Sequence, residues 1–162
     1  MSLLPFRIGA NRRNLSAATR ERVLAAPPAE VWEVLADPYQ MPRWWPSVER
    51  MEGVEDDRFT QVFFTKKGKP VRMDFRLLAS EPPSRRVWEQ ELMGTPFERV
   101  LNQSVTEVAL EPEDGATRVT IAQRQKLRGY SRTGGWLLRR ATGRRLEEAL
   151  EGLERLTVSG PG

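Results

Sequence analysis

Ala26-Pro27-Pro28-Ala29-Glu30-Val31-Trp32-Glu33-Val34-Leu35-Ala36-Asp37-Pro38 is the stretch on which the reading of this chain turns. Proline cannot donate to a strand ladder, so Pro27-Pro28 stops any strand that precedes it. Pro28 suits the first turn of a helix, where a missing N–H is no loss. Val31, Val34 and Leu35 fall at i, i+3 and i+4, which predicts a short helix over 29–36 with one apolar stripe. Asp37-Pro38 ends it, because the residue before proline is pushed out of the α region. Upstream, residues 19–26 alternate Thr19, Glu21 and Val23 against Arg20, Arg22 and Leu24 and read as a first strand. Downstream, residues 39–45 read as a second short helix or turn, closed by Pro46 and crowded with Tyr39, Met41, Trp44 and Trp45.

A meander follows. Strands are expected over 48–54, 59–66, 71–79, 86–93, 97–111 and 117–127. They are separated by Asp56-Asp57, Lys67-Gly68-Lys69-Pro70, Pro82-Pro83-Ser84, Gly94-Thr95-Pro96 and Glu113-Asp114-Gly115. The clearest strand sets Val71, Met73, Phe75 and Leu77 against Arg72, Asp74 and Arg76, one face buried and one wet. After a loop over 129–135, residues 136–156 read as one long helix. Leu146, Ala149, Leu150, Leu153 and Leu156 form its stripe. Upstream on that side the residues shrink to Thr142 and Gly143. Glycine there is read equally well as close approach of a sheet or ligand and as a merely tolerated residue. Sequential antiparallel strands with one amphipathic helix imply an α+β domain, the helix lying across one sheet face.

Composition removes whole classes of chemistry. The 162 residues include no cysteine and no histidine. Disulfides, thiolate nucleophiles, zinc knuckles and Ser-His-Asp triads are therefore excluded, as is an imidazole base. Lys plus Arg number 26 and Asp plus Glu 22, giving a net charge of +4. Between Gly115 and Leu146 lie nine basic residues and no acid: Arg118, Arg124, Lys126, Arg128, Arg132, Arg139, Arg140, Arg144 and Arg145. Such a run fits a nucleic-acid or anionic-membrane face. It fits a solvated strand and helix face better, because no aromatics interleave as stacking platforms. The apolar runs are too short to span a membrane, and no secretory signal is expected. A cytoplasmic protein is expected, with residues 1–17 as an N-terminal extension, 18–157 as the domain and 158–162 as a tail.

The opening motif, with Pro42-Arg43-Trp44-Trp45-Pro46-Ser47-Val48 after it, resembles the START-like superfamily (SRPBCC, Bet v 1-like, helix-grip), and within it the polyketide cyclase/dehydrase branch. Pro82-Pro83-Ser84-Arg85-Arg86-Val87-Trp88 and Gly115-Ala116-Thr117-Arg118-Val119-Thr120 are similar to two further elements of that branch. The resemblance covers residues 18–156. It implies a curved antiparallel sheet of about seven strands around a long C-terminal helix, with two short helices after strand 1 and a cavity between sheet and helix. Relatives of this kind bind lipids, sterols, polyketides or aromatic molecules, and some are cyclases or dehydratases. The histidines that some cyclases use have no counterpart here.

Alternation then nominates the cavity wall. Met73, Phe75 and Leu77 are expected to face the helix, as are Trp88, Gln90 and Leu92. So are Val100, Asn102, Ser104, Thr106 and Val108, and Val119, Ile121, Gln123 and Gln125. A slip of one residue would invert any of these sets. The ligand-binding candidates are Trp45, Met73, Phe75, Trp88, Gln90, Asn102, Ser104, Gln123, Gln125 and Trp136. Their polar members are neutral, suited to carbonyl or hydroxyl groups. Trp45 or Tyr39 is expected to gate the mouth, and Trp136 to close it. Asp74, Glu89, Glu91, Glu98 and Tyr130 are the acid/base candidates. Asp74 is expected in a cross-strand ion pair, and Glu89 and Glu91 toward solvent. No catalytic residue, metal or cofactor is assigned. The reading that results is a carrier or sensor of a hydrophobic or amphipathic small molecule, with a homodimer allowed. A polyketide cyclase/dehydrase-type enzyme is the alternative, and an RNA- or membrane-associated protein is the second.

Overall fold

The computed structural model describes residues 15–129 and 132–158. Strand β1 runs Leu15–Leu24, beginning four residues before the expected start. Its early residues pair with β7 from Leu15 opposite Lys126 to Leu24 opposite Thr117. Helix α1, Pro28–Ala36, has Pro28 in its first turn and buries Val31 and Leu35. Asp37 ends it in extended geometry, and its carboxylate accepts the Tyr39 N–H at 3.0 Å, starting a 3-10 turn. The four-residue α2, Met41–Trp44, follows and buries Met41 and Trp44.

The meander is β2 (Arg50–Glu52), β3 (Arg58–Phe64), β4 (Pro70–Glu81), β5 (Arg85–Gln90), β6 (Leu101–Glu113) and β7 (Ala116–Leu127). All neighbours are antiparallel, in the spatial order β1-β7-β6-β5-β4-β3-β2. α1 and α2 thus carry the chain from one sheet edge to the other, and the meander brings it back beside β1. Asp114 and Gly115 both have positive φ, 52° and 83°, as the two-residue turn between β6 and β7 requires.

Helix α3, Arg132–Val158, lies across the concave face. Leu146, Ala149, Leu150 and Leu153 are fully buried and join Leu24, Val31, Leu35, Trp44, Val119 and Ile121 in the core. Two glycines of α3 meet close neighbours. A Cβ on Gly152 would stand 2.5 Å from the Trp44 carbonyl oxygen and 2.6 Å from its Cα, so α2 backbone crosses here. A Cβ on Gly143 would collide with the Arg20 guanidinium. That contact is with a flexible side-chain tip and not with sheet backbone, so Gly143 is a tolerated residue more than a required one. This is the helix-grip arrangement expected from the sequence.

The convex face carries ion pairs: Arg76–Glu89 at 3.0 Å, Arg85–Glu107 at 2.6 Å and Arg124–Glu107 at 3.6 Å. Glu107 is only 5% exposed, and two guanidinium groups compensate its burial. Among the described residues, no helix is long and apolar enough to cross a membrane.

Candidate ligand cavity

The C-terminal half of α3 rests directly on the sheet. Its N-terminal half stands off, leaving a cavity of about 650 Å³. That volume is in the range that takes a drug-sized ligand. Concave side chains of β3 to β7 form the floor: Gln61, Met73, Phe75, Trp88, Gln90, Ser104, Thr106, Gln123 and Gln125. Trp45 closes one side, and Phe97, Val100 and Leu101 another. Leu127, Arg128, Gly129, Gly134, Gly135, Leu138 and Arg145 complete the wall.

The aromatic floor is built by strand register. Trp45, just after α2, meets Trp88 edge-to-face at 5.9 Å and 74°. Phe75 stacks on Phe59 across β3 and β4 at 5.3 Å, and Phe59 meets Trp88 at 6.3 Å. Such pairs add to what area burial alone contributes and hold the rings in fixed orientation. The polar groups are partly satisfied. Gln123 Nε2 donates to Thr106 Oγ1 at 2.9 Å, and Gln61 Nε2 to Met41 Sδ at 3.3 Å. Gln61 Oε1 and Gln90 Nε2 are buried without a partner among the described residues. An unmet amide atom is costly in an apolar setting, and these two belong to residues of the cavity wall.

The nominated residues are largely gathered here. Trp45, Met73, Phe75, Trp88, Gln90, Ser104, Gln123 and Gln125 line the cavity; Asn102 and Trp136 do not. Asn102 fails because of a bulge. The β6–β7 register shifts between Leu101 and Gln103, so Leu101 and Ser104 both point inward and Asn102 is exposed. The expected strand start at residue 97 is also displaced, because Pro96–Arg99 forms a 3-10 turn. Trp136 is 51% exposed and lies under the Arg140 guanidinium, 5.6 Å from its ring centre. Two residues from inward-facing Leu138 is about 200° round a helix, which turns Trp136 away from the mouth. Tyr39, at 65% exposure, is not in the wall either.

The acid/base candidates stay outside. Asp74 accepts the Thr60 hydroxyl at 2.5 Å instead of forming the expected ion pair. Glu89 is held by Arg76 and by Gln103 Nε2 on the convex face. Glu91 is exposed, and Glu98 accepts the Gly94 N–H at 3.1 Å. Tyr130 lies outside the described residues. No carboxylate is among the residues that line the cavity.

The wall is not neutral, however. Arg128 and Arg145, counted in the sequence among solvated basic residues, both line it. Arg128 Nε donates to the Glu98 carbonyl at 2.8 Å. Arg145 keeps accessible surface as a whole residue. Surrounding protein atoms nonetheless strip water from its guanidinium and pull its pKa below the ordinary value, with the Glu148 carboxylate opposing them. Arg145 is thus an exposed residue on the cavity rim, part of it in the wall. Sequence reasoning also missed Gln61, although Phe59, Gln61 and Phe63 alternate along β3. Leu138 and Arg145 were legible too, seven residues apart and so two turns apart on one helix face.

Comparison with known proteins agrees with this architecture. Among curated proteins none matches the sequence. Among solved structures the fold is similar to the di-domain ARO/CYC BexL from the BE-7585A biosynthetic pathway. The TM-score is 0.77 at 14% identity, over 93% of this chain and 52% of that one. The chain thus spans about half the length of that protein, and likewise 52% of a second di-domain ARO/CYC, StfQ from the steffimycin pathway. A START superfamily protein from Mycobacterium smegmatis aligns with TM-score 0.71 and 10% identity, over 88% of this chain and 97% of that one. TTHA0849 from Thermus thermophilus gives 0.69 and 21%, over 90% and 99%. At these identities the likeness is one of fold. The family profile described as polyketide cyclase / dehydrase and lipid transport matches residues 17–157. From motif, sheet order, gripped helix and family match together, the chain belongs to the polyketide cyclase / dehydrase and lipid transport family.

Proposed function

We propose that this protein binds a hydrophobic or amphipathic small molecule between sheet and helix, as a carrier or sensor. One observation carries the reading: a cavity of about 650 Å³ walled by Trp45, Phe75 and Trp88, with the buried, unpartnered amide atoms Gln61 Oε1 and Gln90 Nε2 on its lining residues. Apolar walls supply the driving force for an apolar body, and a few fixed polar groups supply orientation. A side-chain-filled core would have needed none of these amides.

Catalysis by positioning is the second reading. The observation favouring it is the row of hydrogen-bonding side chains Gln90, Ser104, Gln123 and Gln125 along the floor, able to hold several oxygens of a folded chain at once. A guanidinium does not give up its proton at ordinary pH, so neither cavity arginine serves as a general base. Its role would be to stabilise developing negative charge.

Native mass spectrometry of protein purified after mild extraction tests the first reading, backed by a dye-displacement screen. A bound apolar molecule, or displacement of the dye by lipids or polycyclic aromatics, is expected. If no ligand class binds or displaces, the reading fails. Turnover of a linear poly-β-ketone to a cyclised product faster than in buffer would instead favour catalysis.

A further inference from the structure

Leu138, Thr142, Arg145, Ala149 and Leu153 fall on one face of α3 at spacings of three and four. That face is turned to the sheet: Thr142, Ala149 and Leu153 are buried, and Leu138 lines the cavity. Every position but one is apolar or small. The exception is Arg145, which also lines the cavity.

The helix is rich in acids, yet they are spent elsewhere. Glu147 is engaged by Arg20 at 3.4 Å and Arg22 at 3.7 Å, and Glu151 and Glu154 by Arg22 at 4.0 and 3.5 Å. Among the described residues, Arg145 has no carboxylate within 4.0 Å. The other cavity arginine adds positive charge, not negative. The protein's second desolvated guanidinium, Arg86, is outside the cavity wall and donates to Ser80 Oγ at 3.1 Å. Removing a guanidinium from water with no counter-charge is unfavourable. Arg145 meets that cost only in part, exposed as a residue yet crowded by protein at its guanidinium, and no carboxylate in the wall receives its fork of N–H donors.

We propose that the ligand of this cavity is an amphipathic monocarboxylate, its head group gripped by Arg145 and its apolar body lying against Trp45, Phe75 and Trp88. The proposal rests on the cavity being a ligand site. A guanidinium fork matches a carboxylate bidentately and does so most strongly where water is excluded. Arg128 spends its Nε on the Glu98 carbonyl, which leaves Arg145 as the fork open to a carboxylate edge, whereas phosphate groups are typically met by clusters of arginine. The amides and hydroxyl on the floor then take hydroxyl or keto groups along the body. The arriving carboxylate supplies the counter-charge that offsets the crowding of the Arg145 guanidinium by protein atoms.

Calorimetric titration of the full chain with decanoate and with 1-decanol, at one low ionic strength, separates the possibilities. Decanoate is expected to bind about tenfold or more tightly than decanol. Arg145→Gln should bring decanoate down to the level of decanol while leaving decanol unchanged, so retained decanol binding is its own control for folding. Arg144→Gln removes the same charge from the neighbouring position, which is not in the cavity wall, and should keep the preference. Equal affinity of the unaltered protein for both probes overturns the monocarboxylate and leaves the cavity reading standing. Binding of neither probe removes both. Equal loss of preference in Arg144→Gln overturns the role of Arg145, assigning the effect to the general field of the helix. Should Arg145→Gln fail to fold, the decanoate-to-decanol ratio of the unaltered protein still decides.

Discussion

The two halves of α3 face the same sheet with opposite results. From Leu146 onward the helix is sealed: Leu146, Ala149, Leu150 and Leu153 have no accessible surface, and α2 presses backbone-close at Gly152. Before that point Gly134, Gly135, Leu138 and Arg145 look into open volume. The sheet is continuous beneath both. What differs is side-chain bulk on the helix and the reach of α1 and α2, which support the sealed half. Protein interiors are close-packed by default, so an unfilled region of this size is a deviation that costs dispersion contacts. One half of the helix holds the fold and the other leaves room for a guest.

Truncating one sheet-facing leucine in each half is the most direct way to break this contrast. Leu150→Ala is expected to cost about 2–5 kcal/mol, because a sealed site cannot collapse around the void. Leu138→Ala, already beside open space, should cost under about 1 kcal/mol. Urea unfolding of the two variants measures both, and equal losses would dissolve the distinction. Next in size is Gly152→Ala. Helix propensity favours alanine by roughly 1 kcal/mol, but the new Cβ meets Trp44 backbone, which cannot step aside as a side-chain tip can. A net loss of about 1–3 kcal/mol is expected in the same assay. Gly143→Ala meets only the tip of Arg20 and should be close to neutral.

Arg145→Met sharpens the contrast from the other side. Replacing a desolvated cation by an apolar chain of similar length should leave the thermal midpoint unchanged or raised, while carboxylate binding falls. A clear loss of stability would mean that Arg145 serves the fold. The smallest effect is expected far from both halves, at the β2 edge. The Glu52 carboxylate is held below its ordinary pKa by hydrogen bonds first from Arg72 and then from Arg50, each at 2.9 Å. A depressed folded-state pKa gives stability that is present above the ordinary value of 4.5 and is lost as pH falls through the lower folded value. Glu52→Gln should therefore flatten the acid limb of the stability–pH curve and leave ligand binding untouched. Fully exposed groups contribute little, so the change should be slight.

Local rules carry the architecture: Pro27-Pro28, Asp37-Pro38 and Asp114-Gly115 mark boundaries through backbone chemistry that tertiary context rarely overrides. All seven strands and the gripped helix were legible for that reason. The floor of the cavity was legible too, because alternation on β4, β5 and β7 is unbroken where it matters. Asn102 was misplaced because no residue type announces a bulge, and a bulge inverts everything on one side of it. Trp136 was misplaced because an aromatic at a helix start says nothing of direction until the helical phase is fixed from Leu146 and Leu150. Arg145 was hidden by its company: in a run of basic residues, one inward position looks like the rest. Its seven-residue spacing from Leu138 was the available signal.

Arg22 on β1 lies against Glu147, Glu151 and Glu154, acids at i, i+4 and i+7 along α3. Rotation of the helix about its axis would carry all three acids off the arginine together, so these half-exposed pairs add a little to the angular phase that buried Leu146, Leu150 and Leu153 set. Translation is blocked at another point: a shift by one turn of about 5.4 Å would carry Gly152 off the Trp44 backbone and bring a residue with a Cβ into its place. The helix is thus pinned in angle and in axial position at its sealed end, and the space under its other end inherits both.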